Sequence, residues 1–171
     1  LLDPQPGERV LDLCAAPGGK STQIAALTQD RGLLWSNEVV RSRASVLASN
    51  LERMGVKNAV VSSVYPDVLA EKLAGYFDRV LVDAPCSGEG MFRRDPAAVH
   101  EWSPAHVETC AVRQLAILKS AARCVRAGSV LVYSTCTFSA EENEGVVRAF
   151  LAENPGFVLE KPAVSFGRPA Y

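Results

Sequence analysis

Apolar runs of strand length alternate with amphipathic stretches of helix length along this chain, and that alternation constrains its fold more than any other feature. It is the pattern of repeated βαβ units, an α/β architecture whose mostly parallel central sheet carries helices on both faces. Arg9 to Cys14 reads as a first strand, and a Pro17-Gly18-Gly19 turn leads into a helix from about Lys20 to Gln29. Leu33 to Asn37 is the second strand. The next helix sets Val40, Ala44, Leu47, Leu51 and Met54 on one stripe and meets a stop at Gly55. Asn58 to Ser62 is a short third strand, a weaker helix covers about Pro66 to Ala74, and Asp78 to Asp83 is a near-continuous apolar strand of the kind buried on both faces. Residues 84 to 103 read as a long loop; such loops in compact domains are usually functional or disordered, and this one reads as functional. Ser103-Pro104 caps and opens a long helix with the stripe Val107, Ala111, Leu115, Leu118, Ala122 and Val125, closed by Gly128. Ser129 to Ser134 is the fifth strand, Ser139-Ala-Glu-Glu142 is a capping box for a helix to about Glu153, and Phe157 to Glu160 is expected as a sixth strand.

The 171 residues amount to a single domain, with 48% hydrophobic and 22% charged side chains as in ordinary soluble ones. No apolar run reaches the roughly 18 to 20 residues of a membrane span, and the first residues, with Asp3, Pro4, Pro6 and Glu8, are unlike a signal peptide. The expectation is a cytoplasmic protein without membrane attachment. Eighteen basic and nineteen acidic side chains leave a net charge of −1, so any nucleic-acid site has to be local. The opening Leu1-Leu2-Asp3-Pro4, without a methionine, reads as a piece of something longer. Cys14, Cys86, Cys110, Cys124 and Cys136 are odd in number and unclustered, which suits reduced thiols and neither disulfides nor a metal site.

In open parallel sheets the ligand crevice lies beyond the carboxyl ends of the strands. Small residues and functional groups gather at four such ends: Cys14 to Lys20 after the first strand, Asn37-Glu38 after the second, Asp83 to Gly90 after the fourth and Ser134 to Phe138 after the fifth. The first loop lets backbone amides approach a ligand at a helix N-terminus, and Glu38 stands where an acid accepts from two ribose hydroxyls, together a nucleoside-cofactor arrangement. A tight strand-to-helix turn and a solvated loop acid explain the same residues without a ligand. A P-loop nucleotide hydrolase also competes, because Gly19-Lys20-Ser21 matches the end of that motif and Val80 to Asp83 its magnesium-holding strand, although Cys14 stands where the motif needs glycine. Cys110 and Cys124, inside the long helix, are expected in the core. Cys86 and Cys136 lie in loops after strands that neighbour each other in most such sheets. Two thiols under-fill a zinc site, and a thiol nucleophile explains them better.

Three segments, Leu11 to Lys20, Asp83 to Pro96 and Tyr133 to Ser139, in this order resemble the RNA cytosine-5 methyltransferases of the Sun and nucleolar-protein family. The Gly88 to Arg94 run and Glu101-Trp102-Ser103-Pro104 look most like the F-type enzymes of bacterial 16S ribosomal RNA, and the resemblance extends from about Gly7 to Glu160. It implies a Rossmann-like methyltransferase fold, S-adenosylmethionine as cofactor, RNA as substrate, no metal and no obligate protein partner, in a catalytic domain spanning 1–171 without the family's flanking RNA-binding regions. Carried onto these residues, Cys14, Ala15, Ala16, Pro17, Gly18, Gly19 and Lys20 wrap the cofactor's methionine and ribose, Glu38 takes the ribose hydroxyls, and Asp83 and Pro85 complete the pocket. Asp83 lies between cofactor and base with Lys20 orienting it, Cys136 is the nucleophile and Cys86 assists product release. Such a base must leave its stack, so the RNA is single-stranded or locally opened. Arg93 and Arg94 are candidates for holding phosphates, although on charge alone a solvated loop pair explains them as well; Phe92 and Trp102 are candidates for stacking or anchoring the loop, and Asp67 for reading the adenine. The remaining alternative is a non-catalytic RNA-binding relative, against which the two motif cysteines argue.

Overall fold

The computed structural model describes residues 1–161. They form two compact units, one of residues 2–83 and 120–133, the other of Leu1, residues 84–119 and those from 134 onward.

The first unit is built on a sheet. β1 (Arg9–Asp12), β2 (Leu33–Asn37), β3 (Ala59–Ser62), β4 (Phe77–Asp83) and β5 (Val125–Ser134) lie in the order β3-β2-β1-β4-β5. β1 pairs in parallel with β2 and β4, and β2 with β3. The central strands bury both faces, which explains their unbroken apolarity: Val10, Leu11, Val80 and Val82 are all fully buried. Helices α1 (Gly19–Thr28), α2 (Arg41–Arg53) and α3 (Pro66–Lys72) connect them. Leu2, Val10, Ile24, Leu34, Leu47, Leu51 and Leu81 pack into one core cluster.

α1 starts from Gly18 at φ 112°, and a Cβ there would lie 3.1 Å from Leu47 Cδ1. Glycine is therefore needed both for the left-handed turn and for the approach of α2. On α2 the inward residues are Ala44, Leu47 and Leu51. Val40 and Met54, expected at the ends of that stripe, are 48% and 58% exposed: Val40 is the extended N-cap residue and Met54 the C-cap, each beyond the buried residues Ala44, Leu47 and Leu51. The carboxyl ends of the strands are tied together by Asn37, which is fully buried. Its Nδ2 donates to the carbonyls of Leu13 (3.3 Å) and Val64 (3.0 Å), while its Oδ1 accepts from Ser62 Oγ (2.7 Å) and Val64 N–H (3.2 Å). Every hydrogen-bonding capacity of the amide is used, so the rim of the sheet is fixed without a covalent link.

The second unit departs more from the sequence expectation. The stretch 84–103 is not a structureless loop: it holds a 3₁₀ turn (Glu89–Met91) and a short helix, α4 (Pro96–Glu101), capped by Asp95 through Ala97 N–H. α5 (Pro104–Cys124) buries Val107, Cys110, Gln114, Leu118 and Ala121, while Ala111, Leu115 and Ala122 are only partly covered. The buried line is turned by about one residue from the apolar stripe, because Cys110 and Gln114 occupy places that a count of large apolar side chains assigns to their neighbours. β5 begins directly after α5, and Gly128, at φ +76°, lies within the strand instead of ending the helix. Glu141–Gly145 forms a π-helical turn ahead of α6 (Val146–Glu153). Phe157 to Glu160 is not a sixth strand. Val158 and Leu159 are 78% and 79% exposed and only Phe157 is held, its ring packed edge-on against Phe150 at 5.1 Å. A short apolar run becomes a strand only where an edge supplies ladder partners.

Candidate functional site

Within the sheet-bearing unit, the loop after β1 and the ends of β1 and β4 enclose a cavity of about 400 Å³ lined by Asp12, Cys14, Ala15, Ala16, Pro17, Gly19, Lys20, Gln23 and Asp83. Seven of the sequence-predicted residues thus share one wall. The loop is pinned from α2, where Arg43 donates to Ala16 O (3.2 Å) and Asn50 to Pro17 O (2.8 Å). Lys20 Nζ reaches Asp83 Oδ2 at 2.7 Å. Both groups are substantially open to water, so this pair orients two side chains more than it stabilises the fold. Gly18 lies behind the wall against Leu47. Glu38 is not part of the wall: its buried carboxylate accepts from Val40 N–H (2.9 Å) and stands 3.5 Å from Arg43. Asp67 is exposed on the first turn of α3 and accepts from Val68 N–H.

Asp12 and Gln23 were missed from the sequence. The signal for Asp12 was an acid inside the apolar run Val10-Leu11-Asp12-Leu13. The side chain is fully buried, its Oδ2 accepts from Ser21 Oγ (2.7 Å), and its Oδ1 has no partner. Burial, opposed by the Ser21 hydrogen bond and reinforced by the charge of Asp83, pushes its pKa up from 3.8 to about 6. A buried carboxylate oxygen without a donor, in a wall otherwise made mostly of small residues, fits a ligand that brings a cationic donor. The same burial, together with Asp12, Glu38 and Asp83, raises the Cys14 thiol to about 12, so it stays neutral and is not a nucleophile.

Because folded Asp12 titrates near 6 against 3.8, it holds its proton more tightly in the native state than in the unfolded chain. Its contribution to stability is complete below about pH 4 and is lost as the pH rises through 6, by on the order of 2–3 kcal/mol. Asp12→Asn is expected to flatten that part of the stability profile, measured by urea denaturation at a series of pH values without ligand.

In the second unit, Cys86 and Cys136 come together with Sγ atoms 3.1 Å apart although they are 50 residues apart in the chain. Cys136 is exposed and Cys86 half-buried. Burial, then the hydrogen bond with Cys136, pushes the Cys86 thiol up to about 11. The exits of β4 and β5 are joined by Ala84 N–H to Ser134 O (2.8 Å), and Gly90 N–H donates to Cys136 O (2.8 Å). A Cβ at Gly90 would fall 2.3 Å from that same carbonyl, so only glycine permits this approach. Glu89 braces the Cys136 loop, accepting through Oε2 from Thr137 Oγ1 (3.0 Å) and Phe138 N–H (2.7 Å). Its Oε1 accepts from Trp102 Nε1 (3.0 Å), which anchors that ring to the loop. Arg93 and Arg94 are exposed and make no ion pair among the described residues. Pro85, expected beside the cofactor, offers its carbonyl to Gln114 Nε2 (2.9 Å). Cys110 and Cys124 are buried, as core thiols. Among the described residues no group of three His, Cys, Asp or Glu side chains is arranged to hold a metal ion.

The strand order, the glycine turn opening α1 and the acid closing β2 define a Rossmann-like α/β protein of the methyltransferase class. The chain belongs to the 16S rRNA methyltransferase RsmB/F family, whose sequence model matches residues 1–167. It is 44% identical over 155 residues to ribosomal RNA small subunit methyltransferase F of Erwinia tasmaniensis, covering 91% of this chain and 32% of that protein. With the protein of the same name from Vibrio vulnificus YJ016 the identity is 49% over 139 residues, 81% of this chain and 29% of that one. The crystal structure of NSun6 from Pyrococcus horikoshii with SFG superposes with a TM-score of 0.88 at 35% identity, over 99% of this chain and 42% of that one. The chain therefore spans about a third of the length of the curated relatives it matches. The P-loop alternative falls with this membership, and Lys20 is turned to Asp83.

Proposed function

We propose that this chain is the catalytic core of an S-adenosylmethionine-dependent RNA cytosine-5 methyltransferase acting on 16S ribosomal RNA in the bacterial cytoplasm. The observation that carries the reading is the Cys86–Cys136 pair, since a methyltransferase that attacks an electron-rich atom directly has no use for two apposed thiols. Carbon 5 of cytosine is too electron-poor to take a methyl group unaided. Addition of the Cys136 thiolate to carbon 6 shifts the electron pair of the ring double bond toward carbon 5, dividing one hard step into two easier ones. S-adenosylmethionine, when bound, supplies the electrophilic methyl group. Cys86 then removes the proton from carbon 5 as the electrons return and the Cys136 thiolate leaves. Asp83, oriented by Lys20, favours addition by bonding the ring nitrogen of the base.

The fit of the cofactor rests on this chain's own groups. The cavity-lining loop from Cys14 to Lys20 presents backbone at the N-terminus of α1, the favourable end for a carboxylate. Asp12 Oδ1 is placed for an ammonium, and Glu38 at the end of β2 is the acceptor for ribose hydroxyls, a role in which its bond to Val40 N–H fixes its rotamer. SFG, present in the NSun6 structure, is an S-adenosylmethionine analogue. Arg93 and Arg94 are proposed phosphate contacts, and the RNA is locally opened so that the base reaches the thiols.

Calorimetric titration tests the cofactor half. Saturable binding of S-adenosylmethionine is expected, weakened about 10- to 100-fold by Glu38→Ala through loss of hydrogen bonds to a charged acceptor. Binding of magnesium-ATP in place of S-adenosylmethionine would overturn the reading.

A further inference from the structure

Glu142 is among the most deeply buried acids of the chain, and the mechanism above makes no use of it. Its place in Ser139-Ala-Glu-Glu142 marks it as the returning acid of a capping box, but only half of that box forms. Ser139 Oγ accepts from Glu142 N–H at 3.3 Å, as an N-cap should, while the carboxylate turns inward. There Oε2 accepts from Ser87 N–H (3.0 Å) and Gln114 Nε2 (2.7 Å), and Oε1 accepts from Ser87 Oγ. Gln114 Nε2 also donates to Pro85 O at 2.9 Å. The residues on either side of Cys86 are thus both held by one buried anion, Ser87 directly and Pro85 through Gln114.

The Cys136 loop has separate supports. Asn143 accepts from Thr135 Oγ1 (2.6 Å) and donates to Thr137 O (3.2 Å), Glu89 takes Thr137 and Phe138, and Gly90 holds the Cys136 carbonyl. Next to Cys86 itself, the contacts between the two loops are Ser87 Oγ with Thr137 Oγ1 at 3.2 Å and the thiol pair; the Glu89 and Gly90 contacts lie three and four residues further along. A buried carboxylate is costly unless its acceptor sites are filled, so this arrangement persists only if those donors stay in place.

We propose that Glu142 is a positioning residue for Cys86: with Gln114 it sets the place of the Cys86 thiol against Cys136, and so governs release of the covalent intermediate and not its formation. The inference rests on the thiol assignment proposed above. Glu142→Gln keeps the size of the side chain but turns an acceptor into an amide whose NH₂ faces Gln114 or Ser87, so the Pro85-Cys86-Ser87 segment shifts while the Cys136 supports remain.

The test uses the complete protein with S-adenosylmethionine and unmodified 16S RNA, reading turnover and, on denaturing gels, the fraction of protein covalently joined to RNA. Glu142→Gln is expected to lower turnover at least tenfold while raising the trapped fraction several-fold over wild type, with S-adenosylmethionine affinity unchanged. Adding Cys136→Ala should remove the trapped species. Turnover and trapped fraction falling together, or both staying at wild-type levels, would overturn the proposal. If Glu142→Gln fails to fold, Gln114→Met, which breaks the link to Pro85 while keeping the helix, is judged by the same two readouts. A Cys86→Ala control that traps no RNA overturns the underlying thiol assignment instead, and is recognised by that control alone.

Discussion

Cys136→Ala in the complete protein is expected to abolish methylation of its RNA, by on the order of 10⁴-fold or more, while S-adenosylmethionine binds within about twofold of its wild-type affinity. The size of the effect follows from what the thiolate does. Without addition at carbon 6 there is no electron-rich carbon 5, and no other group in the second unit can substitute: Cys86 holds its proton with a pKa pushed up to about 11. Cys136 is exposed, so shortening it leaves no cavity and little change in stability is expected. Transfer of labelled methyl groups to unmodified 16S RNA, with calorimetry of the cofactor as the control, separates loss of chemistry from loss of the pocket. Normal methylation by Cys136→Ala would remove the covalent mechanism.

Cys86→Ala should produce the opposite defect, an enzyme that starts the reaction and cannot finish it. The expected result is a stable protein–RNA adduct comprising most of the enzyme after one turnover, visible on denaturing gels and absent when Cys136 is also alanine. The raised pKa of Cys86, set by burial and by the hydrogen bond with Cys136, keeps the proton on that thiol in the resting pair. It also predicts a direction. Cys86 acts as a base only once deprotonated, so release in the wild-type enzyme should quicken as the pH rises above about 7 toward 9, followed by the decay of pre-formed adduct. Release that is equally fast in Cys86→Ala would assign the base to another group.

Much of the architecture was legible in the chain because it depends on local signals. The apolar runs at Val10-Leu11 and Val80-Leu81-Val82 are those of strands buried on both faces, and α2 declared itself through Ala44, Leu47 and Leu51 at helical spacing. The segments around Cys14, Cys86 and Cys136 were equally visible, since small residues, glycines and thiols at strand ends have few other reasons to cluster. Phe157 to Glu160 pairs with no strand, something no run of apolar residues reports about itself.

The polar interior lay outside what local pattern can reveal. Asp12, Gln114 and Glu142 are each fully buried, and each sits where a sequence rule names another role: a strand interior, the side of an apolar helical stripe, a capping box. Whether a carboxylate turns toward water or toward a serine 55 residues away is decided by which donors the rest of the chain delivers to it. Sequence alone determined the α/β frame and the two thiols; only the tertiary structure decided that the thiols lie side by side and that a buried anion holds one of their loops. The reason is physical: strand and helix periodicity follow from interactions a few residues apart, whereas satisfying a buried charge requires donors from distant segments, and these meet only when the chain is folded.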